Sequence, residues 1–99
     1  MKSSNKDMDM FLKIKNIQEK IEKAQRKLEL REFTSQVGDI LIVMQGTKQI
    51  VDVRIKNLNS LKNLDLIQES ILLSFNDALE QVEKASQELL IKASQEYEF

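Results

Sequence analysis

Lys13, Lys20 and Lys27 recur every seven residues and are the side chains of this 99-residue chain whose type and spacing best suit a joint chemical task. On an α-helix that interval returns to nearly the same face, so the three form one cationic stripe about 21 Å long, comparable with roughly six phosphate steps of a polynucleotide strand. Ammonium groups at that pitch suit a repeating polyanion. Lys15, Lys23, Arg26 and Arg31 add positive charge nearby, while Glu19, Glu22 and Glu29 dilute it. The plainer alternative is a solvated rim in which lysine stems cover apolar neighbours. Spacing by itself favours that rim.

The charge is uneven along the chain. Lys plus Arg is 15 and Asp plus Glu is 16, a net charge of -1, so no whole-molecule field draws in nucleic acid or an anionic membrane. Met1 to Arg31 holds nine basic and five acidic residues (9 - 5 = +4), and Glu32 to Phe99 holds six and eleven (6 - 11 = -5). An electrostatic site therefore belongs to the first segment. The sequence has no Cys or His, which removes disulfides, thiolate or imidazole metal sites, Cys nucleophiles and His bases together. Asn76 and Asp77 have no opposed acid or base in sequence reach, so they read as polar positions facing water or local backbone. No catalytic residue, cofactor or metal site is expected. No signal-peptide pattern stands at Met1–Asp9, and no apolar run approaches the roughly 20 residues of a bilayer span. The expectation is a chain that stays in the cytoplasm.

A long helix must present the lysines. Met10, Ile14, Ile17, Ile21, Ala24 and Leu28 step by four and three, a heptad-like seam that predicts a helix from about Asp9 to Leu30. Residues 1 to about 8 read as a polar, frayed tail, with Asp7 or Asp9 as the cap. Glu19–Lys23 and Glu22–Arg26 are expected as i,i+4 ion pairs, as are Glu80–Lys84 and Glu88–Lys92 further on. The period then changes. Glu32–Ser35 forms a weak first strand, Val37-Gly38-Asp39 a turn, and Ile40–Met44 the best strand. Gln45-Gly46-Thr47-Lys48 reads as a hairpin turn with Gly46 free to take positive φ. Ile50–Lys56 returns, with Val51, Val53 and Ile55 on a buried face and Asp52, Arg54 and Lys56 on a wet one.

Asn57–Ser60 connects to a last helix, which a capping box at Asp65 and Gln68 starts and which continues to about Tyr97. Its apolar stripe runs through Ile71, Phe75, Ala78, Val82, Ala85 and Leu89, widened by Leu72, Leu79, Leu90 and Ala93. Two such helices carry more apolar surface than a three-stranded meander can cover. The surplus, together with an open sheet edge, predicts self-association.

The motif Ser74-Phe75-Asn76-Asp77-Ala78, preceded by a three-strand pattern and a long polar N-terminal helix, resembles the YbaB/EbfC family of small bacterial nucleoid-associated proteins. The likeness runs without gaps from about Arg31 to Lys84 and, in order of elements, over nearly the whole chain. It implies a single α+β domain over residues 1–99, arranged α-β-β-β-α and homodimeric. It also implies a non-enzymatic protein that binds duplex DNA at the nucleoid. With the cationic stripe, it makes Lys13, Lys15, Lys20, Lys23, Arg26 and Lys27 the candidate DNA-binding residues. The glycine-rich segment and Asn-Gly hairpin common in the family are reduced here to Gly38 and Gln45-Gly46. The alternative reading is an adaptor that docks a protein partner in DNA repair or replication through its helices, without DNA binding.

Overall fold

The computed structural model describes residues 2–96. Helix α1 spans Lys2–Leu30, strands β1, β2 and β3 span Glu32–Val37, Ile40–Gln45 and Ile50–Ile55, and helix α2 spans Leu64–Glu96. A short 3₁₀ helix, Leu58–Lys62, precedes α2. The α-β-β-β-α order is the expected one. The boundaries differ in instructive ways. Residues 2–8, read as a frayed tail, belong to α1, so Asp7 and Asp9 stand inside the helix rather than capping it. With no Gly or Pro before residue 38, nothing in the sequence breaks the helix earlier. At α2 the cap is Asn63: its side-chain Oδ1 accepts from the Leu66 amide at 3.1 Å, and Leu66 occupies the position a capping box would give to Glu or Gln. The expected Asp65–Gln68 box is therefore displaced by two residues. Tyr97 lies outside the described residues.

The sheet is an antiparallel meander in the order β1-β2-β3. Ile42 faces Ser35 on one side and Val53 on the other, and Ile40 faces Val37 and Ile55, so these residues share one face. A bulge at Val43/Met44 sets Met44 against Ile50. Helix α2 lies over β1 and β2 on that face, and the core gathers Leu28, Phe33, Ile40, Ile42, Met44, Ile67, Ala78 and Val82. Strand β3 is left uncovered. Val51, Val53 and Ile55 are 45%, 51% and 40% exposed, against 0–1% for Ile40, Ile42 and Met44. The alternation assigns them to the correct face, but α2 does not reach across, so the expectation that this face is buried fails at β3.

Of the expected α2 stripe, Ala78 and Val82 lie in the core and Phe75, Ala85 and Leu89 pack against it, while Ile71 falls outside, so the buried face is shifted slightly from that line. Its centre runs Ile67, Ser70, Ser74, Ala78 and Val82, with Ile71 40% exposed. Small side chains at Ser70, Ser74 and Ala78 let the helix backbone sit close on the sheet, and the Ser74 hydroxyl is satisfied by donating to the Ile71 carbonyl at 3.2 Å. The two glycines act differently. Gly38 takes φ +56 in the β1–β2 turn beside Ser70. Gly46 does not use its freedom to take positive φ; Lys48 holds that conformation instead, at φ 70. Gly46 is required instead because α1 passes against it.

Candidate nucleic-acid interface

The six basic residues singled out from the sequence are all exposed along α1. The helix turns Ile17, Ile21, Ala24 and Leu28 inward, and Leu28 joins the core with Ala85 and Leu89 packed against it. Lys13, Lys20 and Lys27 then run beside that inward seam, as the seven-residue spacing requires. Within this set the structure makes a division. Lys13, Lys20, Lys23 and Arg26 line one open hollow of about 490 Å³ with Glu19 and Glu22 among its walls. Lys27 lines a second groove, of about 320 Å³, between α1 and α2. Lys15 lines neither.

The second groove holds two cations outside the candidate set. Arg31 and Lys92 join Lys27 along its edge, over an apolar floor of Ala24, Leu28, Ala85 and Leu89, with Glu88 the one acid. Lys92 is 65 residues from Lys27 in sequence and lies on a different helix, so no local pattern points to it. Arg31 had a local signal in its charge. Its guanidinium lies over the Phe33 ring, 4.7 Å from the centroid, which ties the last residue before β1 to the core.

Glu19 and Glu22 are interleaved with the cations of this surface, but they close no ion pair with their expected partners, Lys23 and Arg26. Among the described residues the ion pairs are Lys48–Glu83 at 4.0 Å and Arg54–Asp52 at 2.8 Å, both on exposed side chains away from α1. The expected pairs Glu19–Lys23, Glu22–Arg26, Glu80–Lys84 and Glu88–Lys92 are not closed. Exposed pairs of this kind gain only a few tenths of a kcal/mol against the entropy of two long side chains, so an open geometry is unsurprising. Lys13, Lys15, Lys23, Arg26 and Lys27 thus keep their ammonium and guanidinium groups available to an external anion.

Asp77, by contrast, serves the fold. Its Oδ2 accepts from the Ser35 hydroxyl at 2.7 Å and from the Gln81 amide at 2.9 Å, while the same amide also donates to the Thr34 carbonyl at 3.1 Å. The Ser35 bond, then the Gln81 bond, favour the charged form and hold the Asp77 carboxyl below its ordinary range, against a smaller opposing effect of burial. The expectation of water or local backbone as its partner is corrected: Asp77 is bonded to β1, 42 residues away in sequence. Ser35 is itself only 3% exposed, so its hydroxyl needs a partner there. The network fixes α2 to β1 and accounts for one residue of the motif on physical grounds. Among the described residues there is no cluster of three or more potential metal ligands. No described helix is long and apolar enough to cross a membrane.

A family model described as the YbaB/EbfC DNA-binding family matches residues 4–97. The chain belongs to that family. A relative in Mycoplasmopsis pulmonis (strain UAB CTIP), called a nucleoid-associated protein, is 27% identical over 82 residues, covering 82% of each chain. Among solved structures, an uncharacterized protein from Helicobacter pylori, HP0035, superposes with a TM-score of 0.73 at 18% identity, over 84% of this chain and 90% of that one. The latter likeness establishes that the two share a fold. A long basic helix beside a three-stranded meander is thus the frame on which this member of the YbaB/EbfC family carries its charge.

Proposed function

We propose that this protein is a non-enzymatic, nucleoid-associated protein that binds duplex DNA as a homodimer. Phosphate contacts from Lys13, Lys15, Lys20, Lys23, Arg26 and Lys27 on α1 supply most of the affinity. The observation that carries this reading is the exposed cationic face of α1, on which Lys13, Lys15, Lys23, Arg26 and Lys27 form no ion pair among the described residues, in a chain of a DNA-binding family. Lysine and arginine on a helix surface, without an aromatic platform or a groove-reading motif, favour contacts to backbone phosphates over reading of base edges. Binding of this type falls with salt, because each neutralised phosphate releases counterions.

The dimer is supported by the apolar surface on the β3 side. Asp77 and Gln81 occupy the flank of α2 that reaches β1. At 100° per residue, Ile71, Phe75 and Leu72 fall on the opposite flank, towards β3. Together with Val51, Val53 and Ile55 they make one apolar face beside an open strand edge, a combination that a second copy of the chain covers at little cost. Pairing doubles the number of basic helices offered to one duplex.

The test is fluorescence anisotropy of a labelled duplex with the full-length protein, at salt from about 50 to 200 mM, where each phosphate contact adds about -0.9 to the slope of log K against log salt. The unaltered protein is expected to bind with a slope of several contacts. A variant carrying Lys13→Glu, Lys23→Glu and Lys27→Glu is expected to lose binding while keeping its sedimentation mass. Unchanged affinity rejects this face of α1, and absence of binding by the unaltered protein at the lowest salt rejects the DNA reading. Val53→Glu tests the dimer: it is expected to sediment as a monomer with its helix content intact.

A further inference from the structure

Gly46 stands where the β2–β3 turn meets the last turn of α1. A Cβ at this position would lie 1.8 Å from the Leu28 carbonyl oxygen, 2.5 Å from its carbon and 3.1 Å from the Glu29 Cα. All three are backbone atoms, so no side-chain rotation makes room. Contact is reinforced by hydrogen bonding: the Gly46 amide donates to the Arg31 carbonyl at 3.0 Å, and the Arg31 amide donates to Leu28 at 3.1 Å. The turn itself is firm, with Gln45 N bonded to Gln49 O and Lys48 N bonded to Gln45 O, each at 2.8 Å. Further out α1 has little support. Ile17, Ile21 and Ala24 are half-buried, and every residue from Asp7 to Asn16 is exposed.

From this geometry we infer that Gly46 is a positioning residue: its bare backbone sets the angle at which α1 leaves the sheet, and so the line along which the basic residues of α1 meet a duplex. The first half of this statement stands on the structure, and the second rests on the proposed DNA binding. The leverage is considerable. Bringing the Leu28 oxygen from 1.8 Å to the 3.0 Å that a real Cβ tolerates requires a retreat of 1.2 Å. Absorbed over the four residue steps from Leu28 to a hinge at Glu32, a lever of about 6 Å at helical rise, that retreat tilts α1 by about 10°. Lys13 lies nineteen residues from that hinge, about 28 Å along the axis, and moves about 5 Å, more than the ~3.4 Å of axial rise between phosphates on one strand.

The chain has no cysteine, so a spin-label pair is introduced cleanly at Gln18→Cys and Glu80→Cys, with the labelled chain diluted into unlabelled protein so that distances within one protomer are read. Gly46→Ala is expected to shift the mean distance by about 4 Å, Gln18 lying nearer the junction than Lys13. It is also expected to lower duplex affinity at least about fivefold through one or two misaligned phosphate contacts, with all charges retained. Gly38→Ala is the control: it strains the other glycine turn, far from α1, and is expected to lower stability without moving the distance or the affinity. Equal effects of the two variants assign the result to general destabilisation and overturn the inference. So does an unmoved distance in a folded Gly46→Ala protein, or a moved distance with unmoved affinity. If Gly46→Ala does not fold, amide exchange of the unaltered protein decides: Gly46 protected like the β2–β3 ladder supports the contact, and rapid exchange refutes it. Failure of the unaltered protein to bind DNA ends the proposed function alone, because the distance still reports the angle.

Discussion

The two sides of one sheet face have opposite fates. On β2, Ile40, Ile42 and Met44 are sealed beneath α2; on β3, the directly paired Ile55 and Val53, with neighbouring Val51, are open to water. Residue type does not separate them, for all are aliphatic or nearly so and all follow the same alternation. The position of one helix does. α2 is bound to the β1 side by the Ser35–Asp77 and Thr34–Gln81 bonds and sits close through Ser70, Ser74 and Ala78, so it cannot also cover the far strand. Alternation along a strand thus tells which face is apolar, while coverage is decided by what fastens the layer above.

The largest expected effect breaks this comparison if it fails. Ile42→Ala deletes fully buried atoms and leaves a cavity, which costs about 2–5 kcal/mol in urea unfolding, whereas Val53→Ala at the paired position should cost under about 1 kcal/mol within the protomer. In a dimer that uses this face the Val53→Ala loss grows with protein concentration; equal losses at all concentrations would show that the two sides are not different in kind.

Ser35→Ala probes the fastening and should cost about 1 kcal/mol, by removing a hydrogen bond to a charged group at a buried hydroxyl. Its pH dependence has a definite sign. Because the folded state holds the Asp77 carboxyl below its ordinary range, the stabilisation is present above the unfolded value, about 4, and disappears as pH falls through the folded value. The difference between unaltered and Ser35→Ala proteins should therefore be constant from neutral pH to about 5 and shrink in stronger acid. A difference that grows on acidification contradicts the assignment.

The smallest effect lies at the turn joining the two strands. Lys48 holds φ 70, a conformation that costs a residue with a Cβ about 1 kcal/mol, and its pairing with Glu83 is long and exposed. Lys48→Gly should stabilise the chain by about 0.5 kcal/mol, seen as a small rise in thermal midpoint.

Much of this architecture was legible in the residues. The aliphatic run at Ile40–Met44, the alternation at Ile50–Ile55 and two uninterrupted helical patterns give the elements and their order. Most of the α2 stripe was legible, since Phe75, Ala78, Val82, Ala85 and Leu89 lie in or against the core, but Ser70 and Ser74 occupy core positions without looking apolar, which drew the stripe to the exposed Ile71. Asp77 looked isolated because its partner is distant in sequence. Gly46 suggested backbone flexibility, while its role depends on a helix that no local pattern places beside it. The basic residues of α1 were the most legible part, since a charged stripe needs only a regular helix. The groove that adds Arg31 and Lys92 to Lys27 required the crossing of two helices and could not be read from either one.

The described chain measures 77 × 18 × 14 Å, with a radius of gyration of 20.7 Å against about 13 Å for a compact domain of this size. Such a rod has more friction than its mass suggests. A single protomer will elute from a sizing column where a globular protein of greater mass would, so column position alone can counterfeit a dimer. Tumbling is anisotropic as well: amides along the helices relax as in a larger particle, and those whose bonds lie across the long axis sample faster rotation.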